Sequence, residues 1–215
     1  MKKRKKRNRQ ILGVTYFFVG LFLCMMAYTS HYAITHRQEL INNSYNSRQE
    51  ILVAQNTRGM IYADGRQVLA KTETDEEGKE TRTYPYGDMF SHVVGYASNG
   101  RYGIEASANY YLINSNAKLS DKVANDVAGL KYPGDNVVTT LNVDLQQIAY
   151  DSLGLYKGAV IVTEPSSGRI LAMVSKPDFD PNQIEVIWDE LLADKESGVL
   201  LNRATQGLYP PGSTF

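Results

Sequence analysis

The 215-residue chain is long enough for one large domain or two small ones, and its 23 basic and 23 acidic side chains give a formal net charge of zero. The charges are segregated: seven of the first nine residues are Lys or Arg, and the remainder holds 16 basic against 23 acidic side chains, a net −7. An acidic body argues against nucleic acid as a partner, and the single cysteine, Cys24, excludes a disulfide or a Cys-based zinc site in the part that follows it.

Residues 1–9 form a basic tail directly before an apolar run with no charged side chain from Gln10 to Ser30. Short Lys/Arg runs also occur as nucleic-acid or nuclear signals, but this one abuts a segment of membrane-spanning length, about 20 apolar residues being enough. Residues 10–32 are therefore expected to be a single transmembrane helix. The basic flank is expected to stay in the cytoplasm, with the bulk of the chain outside. A cleaved signal peptide is the main competing reading, and Ala27-Tyr28-Thr29 is a poor small-x-small cleavage site. A buried core helix would be shorter and amphipathic. A lipoprotein signal at Cys24 is excluded because apolar residues continue beyond it.

Residues 33–134 are expected to form a small mixed α/β module. His31 to about Ser47 reads as a helical extension or stalk, and Glu50–Gln55 as a strand. Arg58–Tyr62, the Asp64-Gly65 turn and Gln67–Ala70 predict a hairpin. The charged stretch Thr72–Thr83 reads as a solvated loop without a function. Apolar content returns from Tyr84 to Tyr96, an amphipathic helix is predicted from Gly103 to about Leu112, and Asn114–Gly134 reads as polar and irregular.

A second domain is expected from residue 135 to the end. Asn136–Leu141 predicts a strand, and Asn142 or Asp144 caps a helix to about Tyr156 with Leu145, Ile148, Ala149 and Leu153 on one face. Gly158–Thr163 and Arg169–Ser175 predict a strand pair whose nearly continuous apolar runs suggest cover on both faces. The amphipathic stretch Ile184–Leu192 is the candidate cover. The fold class is α+β, and no internal repeat is seen.

The chain ends Leu208-Tyr209-Pro210-Pro211-Gly212-Ser213-Thr214-Phe215. By itself Pro-Pro-Gly-Ser is a turn. It also has the form of a turn that delivers a serine to a helix start, where unpaired N–H groups steady developing negative charge. A serine needs a nearby base. A lysine three residues on would share its helix face and could serve, but that position is 216, beyond Phe215.

Four collinear segments resemble class B penicillin-binding proteins, the cell-wall D,D-transpeptidases. Leu201–Phe215 is similar to the region around the family's Ser-x-x-Lys motif. Arg58-Gly59-Met60-Ile61 resembles its Arg-Gly-x-Ile signature, and Gly103-Ile104-Glu105 its Gly-Ile/Leu-Glu element. Gly158-Ala159-Val160 through Pro177–Asn182 resembles the first hairpin of the transpeptidase domain. The resemblance implies the beginning of a penicilloyl-serine-transferase domain, incomplete at residue 215, after a dimerisation or pedestal-like module. It implies Ser213 as the residue acylated by a peptidoglycan stem peptide or a β-lactam, with no cofactor and no metal. Arg58, Gly59, Gly103 and Glu105 are then structural motif residues, Arg58 and Glu105 being a buried pair. The implied partners are the membrane and a SEDS-family glycosyltransferase. The lysine, Ser-x-Asn and Lys-Thr/Ser-Gly motifs of such enzymes fall downstream, so these 215 residues alone are expected to be inactive. Competing readings are a class D-like serine β-lactamase, a β-lactam sensor, and a non-catalytic membrane-anchored scaffold.

Overall fold

A computed structural model describes residues 2–36, 48–194, 196–210 and 212–214. They fall into two units, residues 1–46 and 47–215. Among the described residues the first holds one helix, α1 (Lys2–Thr35). Its Ile11–Thr35 segment is 25 residues long and apolar enough to cross a membrane. At 1.5 Å per residue it measures about 38 Å, enough for the roughly 30 Å hydrocarbon core with some tilt. The threonine hydroxyls on this stretch are turned back onto the helix. Thr15, Thr29 and Thr35 each donate at 2.9 Å to the carbonyl four residues earlier, a partner that needs no water.

The second unit opens with α2 (Arg48–Gln55) and the short β1 (Asn56–Thr57). The strand expected over residues 50–55 is thus a helix. Ile51 stays over half exposed while Gln49 is buried, so tertiary contact and not the apolar run decides its form. β2 (Ile61–Tyr62) and β3 (Val68–Thr74) form the expected antiparallel hairpin around Asp64-Gly65, closed by Ala63 N–H to the Gln67 carbonyl at 2.9 Å. The segment read as a solvated loop is a second hairpin: β3 runs to Thr74 and pairs with β4 (Glu80–Thr83). A 3₁₀ turn (Gly87–Phe90) and α3 (Ser91–Val94) follow. The single helix expected from Gly103 is two, α4 (Gly103–Ser107) and α5 (Asn109–Ile113). The stretch expected to be irregular contains α6 (Leu119–Ala128) and β5 (Tyr132–Pro133).

β5 pairs with β1, and β6 (Val137–Val138) joins β2 in parallel, giving the sheet order β4-β3-β2-β6. The main core, including Ile61, Leu69, Phe90, Val94 and Leu112, packs around this sheet.

The Asn142 side chain accepts from Leu145 N–H at 2.9 Å and caps α7 (Val143–Leu153). β7 (Gly158–Thr163) and β8 (Ile170–Lys176) pair antiparallel, with Val160 opposite Val174. Leu145, Ala149 and Leu153 of α7 cover Val160, Val162, Ala172 and Val174. On the other face Ile161 is half exposed, so among the described residues the pair is not covered on both sides. The expected covering helix, α8 (Ile184–Ala193), packs elsewhere, its Ile184 and Trp188 meeting Tyr96, Phe179 and Val199.

One side chain ties these parts together. Gln146 of α7 is fully buried. Its amide nitrogen donates to the carbonyls of Met89 (2.8 Å) and Met173 (2.9 Å), and its oxygen accepts from Met173 N–H (2.8 Å).

Candidate functional site

The residues singled out in the sequence occupy two separate settings. The first is a buried charge cluster. Glu105 on α4 is fully buried, and a carboxylate taken out of water requires partners. Arg58, just after β1, supplies them. Its Nε donates to Glu105 Oε2 at 2.6 Å, and its Nη2 to the Glu105 carbonyl at 2.7 Å. Its Nη1 reaches Asn109 Oδ1 at 2.7 Å. Arg82 on β4 holds the other carboxylate oxygen, Nε to Oε1 at 2.8 Å, and donates through Nη1 to the Gly59 carbonyl at 2.7 Å. Two guanidinium groups thus surround one carboxylate. Burial pulls Arg58 below its ordinary value, with Glu105 opposing that shift. Burial, reinforced by Glu105, pushes the Tyr84 hydroxyl well above its own. Both charged ends of this cluster are tied to backbone or side chains of the module, an arrangement that fixes chain segments and offers no reactive group.

Gly59 and Gly103 are explained by space. A Cβ on Gly59 would lie 2.0 Å from the Asp135 carbonyl oxygen, so only glycine lets the two segments meet. Gly103 has φ of 64° beside the Val93 and Val94 carbonyls, a conformation that favours glycine.

The second setting is the segment leading to Ser213. The side chain of Asn202 is buried, donates to the His92 carbonyl at 3.1 Å, and caps α9 (Arg203–Gln206) by accepting from Ala204 N–H at 3.0 Å. Ser175 at the end of β8 accepts from Arg203 N–H at 2.9 Å. The Arg203 guanidinium donates to the carbonyls of Ser197 (2.7 Å) and Gly198 (2.9 Å). The start of the segment is thus fastened to β8 and α3. Gly212, with φ of 57°, opens a 3₁₀ turn (Gly212–Thr214), and Ser213 within it is exposed. Among the described residues none hydrogen-bonds the Ser213 hydroxyl, and no group of three or more His, Cys, Asp or Glu converges as metal ligands do.

Sequence reasoning missed Arg82, Asn109, Gln146, Ser175 and Arg203. Arg82 alone carried a signal: it lies in a Thr-Arg-Thr alternation that a strand would point inward every second residue.

Both settings fall within regions that match known families. Residues 58–137 match the Penicillin binding protein A dimerisation domain, and residues 158–215 match the Penicillin binding protein transpeptidase domain. The chain belongs to the class B penicillin-binding proteins. It is 36% identical over 174 residues to the peptidoglycan D,D-transpeptidase PbpA of Mycolicibacterium smegmatis, covering 74% of this chain and 35% of that protein. It is 32% identical over 177 residues to the peptidoglycan D,D-transpeptidase MrdA of Escherichia coli K12, covering 64% and 27%. Among solved structures it is similar to the imipenem acyl-enzyme complex of penicillin-binding protein A from M. tuberculosis. The TM-score there is 0.65 and the identity 34%, over 74% of this chain and 40% of that one. The chain thus spans about a third of the length of the curated relatives it matches.

Proposed function

We propose that the protein is a peptidoglycan D,D-transpeptidase and that Ser213 is its nucleophile. The observation that carries this is the presentation of Ser213: an exposed hydroxyl on a Gly-initiated turn, at the end of a segment fastened to β8, inside the matched transpeptidase region. In the reaction, Ser213 Oγ attacks the carbonyl of the penultimate D-alanine of a donor stem peptide. The proton of the hydroxyl passes to a base and on to the nitrogen of the terminal D-alanine, whose peptide bond breaks with release of that residue. The amine of an acceptor stem peptide then attacks the acyl-serine ester, forming the cross-link, and a proton from that amine passes through the base to Oγ. A β-lactam acylates the same oxygen by ring opening. Support for this chemistry comes from relatives named as D,D-transpeptidases and from the acyl-enzyme of the M. tuberculosis protein.

The family's Ser-x-x-Lys motif puts the base at position 216, so the 215 residues by themselves are expected to be inert toward penicillin. Residues 10–32 serve as the membrane anchor with residues 1–9 cytoplasmic, residues 33–134 as the non-catalytic module, and residues 135–215 as the start of the transpeptidase domain. A SEDS-family glycosyltransferase is the proposed partner of the anchor and the module, a reading favoured by the apolar, exposed surface of α1. Co-purification should survive Ser213→Ala and disappear when Ile11–Tyr28 is exchanged for an unrelated apolar helix. The catalytic proposal is tested by labelling the full-length protein with a fluorescent penicillin. Wild type should be labelled and Ser213→Ala should not. Equal labelling of both would assign the nucleophile elsewhere.

A further inference from the structure

Helix α6 is turned inside out. Its polar residues Lys122 and Asn125 face the module, where Lys122 Nζ donates to the Ser115 carbonyl at 2.8 Å and Asn125 Nδ2 to the Lys131 carbonyl at 3.2 Å. Its large apolar residues face away. Leu119 is 78% exposed, Val123 54% and Val127 86%, and Leu130, just past the helix, is 63% exposed. At about 100° per residue the three helical positions fall within an arc of about 80°, so they form one stripe. The helix end is well defined. Gly129 adopts the left-handed conformation, its N–H donating to the Asp126 carbonyl at 3.2 Å, and Leu130 N–H donates to the Asn125 carbonyl at 2.9 Å. That paired closure is the Schellman arrangement and carries Leu130 onward from the stripe.

The stripe lies at the tether end of the second unit. β5, directly after α6, pairs with β1, and β1 directly follows α2. Lys131 Nζ donates to the Val53 carbonyl of α2 at 3.4 Å, and Ile51 and Val53 of α2 are exposed as well. Only residues 36–47 separate the end of α1 from the start of α2, a reach of at most about 45 Å even fully extended. With α1 in a bilayer, the covalent link limits how far residue 48 can lie from the lipid surface. The occupant is therefore set by what the tether keeps close. A few aliphatic side chains also fall far short of the roughly 20–30 residues a side that a stable protein interface uses.

We propose that α6 is a membrane-surface helix, its Leu119–Val123–Val127 stripe and Leu130 docking on the outer face of the bilayer and holding the module against it. The inference rests on the anchor reading of α1, and the test separates the two. The full-length protein is reconstituted singly into lipid nanodiscs, in a background free of other cysteines. A solvatochromic label is placed at Cys24, at Val127→Cys or at Ser166→Cys in the β7–β8 turn, and nitroxide lipids are added. Docking puts the apolar face about 5–10 Å into the headgroup and upper acyl region. The label at 127 is therefore expected to shift to the blue and to be quenched by shallow nitroxides, the label at 24 by deep ones, and the label at 166 by neither. The exposed triple variant Leu119→Ser, Val123→Ser, Val127→Cys should lose the shift and the quenching while keeping the circular dichroism of the parent. Quenching at 24 with none at 127 would overturn the docking and leave the anchor standing. No quenching at 24 would remove the anchor and the docking with it. A blue shift at 127 seen in native membranes but absent in pure lipid would assign the stripe to a protein partner and overturn the lipid surface.

Discussion

The Glu105 cluster and the Ser213 turn are built on opposite terms. Around Glu105 the charged groups are buried, and both carboxylate oxygens are held by arginines from distant strands and loops. At Ser213 the hydroxyl is exposed and has no partner among the described residues, while the chain just upstream is fastened through Asn202, Arg203 and Ser175. In the cluster both carboxylate oxygens of Glu105 are occupied, although Arg82 Nη2 has no partner among the described residues. The proposed nucleophile is left open, and the fastening lies upstream of it at Asn202 and Arg203. The comparison separates what each site should lose on mutation.

The largest effect is expected at Ser213. Ser213→Ala in the full-length protein should lower penicillin acylation by on the order of 10³-fold or more, while its unfolding free energy stays within about 0.5 kcal/mol of wild type, as for other exposed positions. A large drop in stability would show that the turn is part of the fold. Glu105→Ala should behave in the opposite way. It leaves two buried guanidinium groups facing each other without their shared anion, at a cost of about 3–5 kcal/mol. Denaturant unfolding of the solubilised full-length protein should register that loss. A change under about 1 kcal/mol would mean that the cluster is not structural.

Gln146→Leu comes next. It leaves the Met89 and Met173 carbonyls and the Met173 N–H unpaired in the interior, with an expected cost of about 2–4 kcal/mol by the same measurement. The smallest effect is a pH dependence. His92 is buried with Nε2 donating to the Pro177 carbonyl at 2.9 Å, and burial holds its imidazole below the ordinary value. The Asp178 carboxylate opposes that shift, and Arg203 adds to it. The unfolded chain therefore takes up the proton first. Stability should be fully present above about pH 6.5 and decline as the pH drops below that, until His92 is protonated in the folded state. His92→Gln should flatten this slope between pH 7.5 and 5.5, and an unchanged slope would assign it to other groups.

How much of this was legible in the sequence follows the same division. The β7–β8 pair, the cap of α7 (narrowed to Asn142 or Asp144, with Asn142 the observed one) and the Asp64-Gly65 hairpin were readable because local signals specify them: an apolar run, a capping side chain, a turn dipeptide. Helix α2 was not, because Ile51-Leu52-Val53 looks like a strand while Gln49, the residue it buries, looks like surface. Helix α6 was hidden by its inversion. Its apolar residues carry the helical period, but they are sparse in a polar stretch and no core among the described residues claims them. Arg82 lay in a run of charges that resembles a solvated loop, and beyond the short Thr81-Arg82-Thr83 alternation it is the long-range partner Glu105 that distinguishes it. Gln146 is the extreme case, since an interior glutamine on a helix differs from a surface one only through backbone groups tens of residues away. Ser213 was singled out from its motif alone, and the structure adds how the chain upstream of it is fastened at Asn202 and Arg203.

The most direct measurement is peptide mass spectrometry on penicillin-treated membranes containing the full-length protein. A penicilloyl adduct on Ser213, in a peptide that continues beyond Phe215 into a lysine three residues after the serine, is the expected result. Labelled protein whose adduct maps to any other residue, with the Ser213 peptide recovered unmodified, would contradict the assignment of the nucleophile.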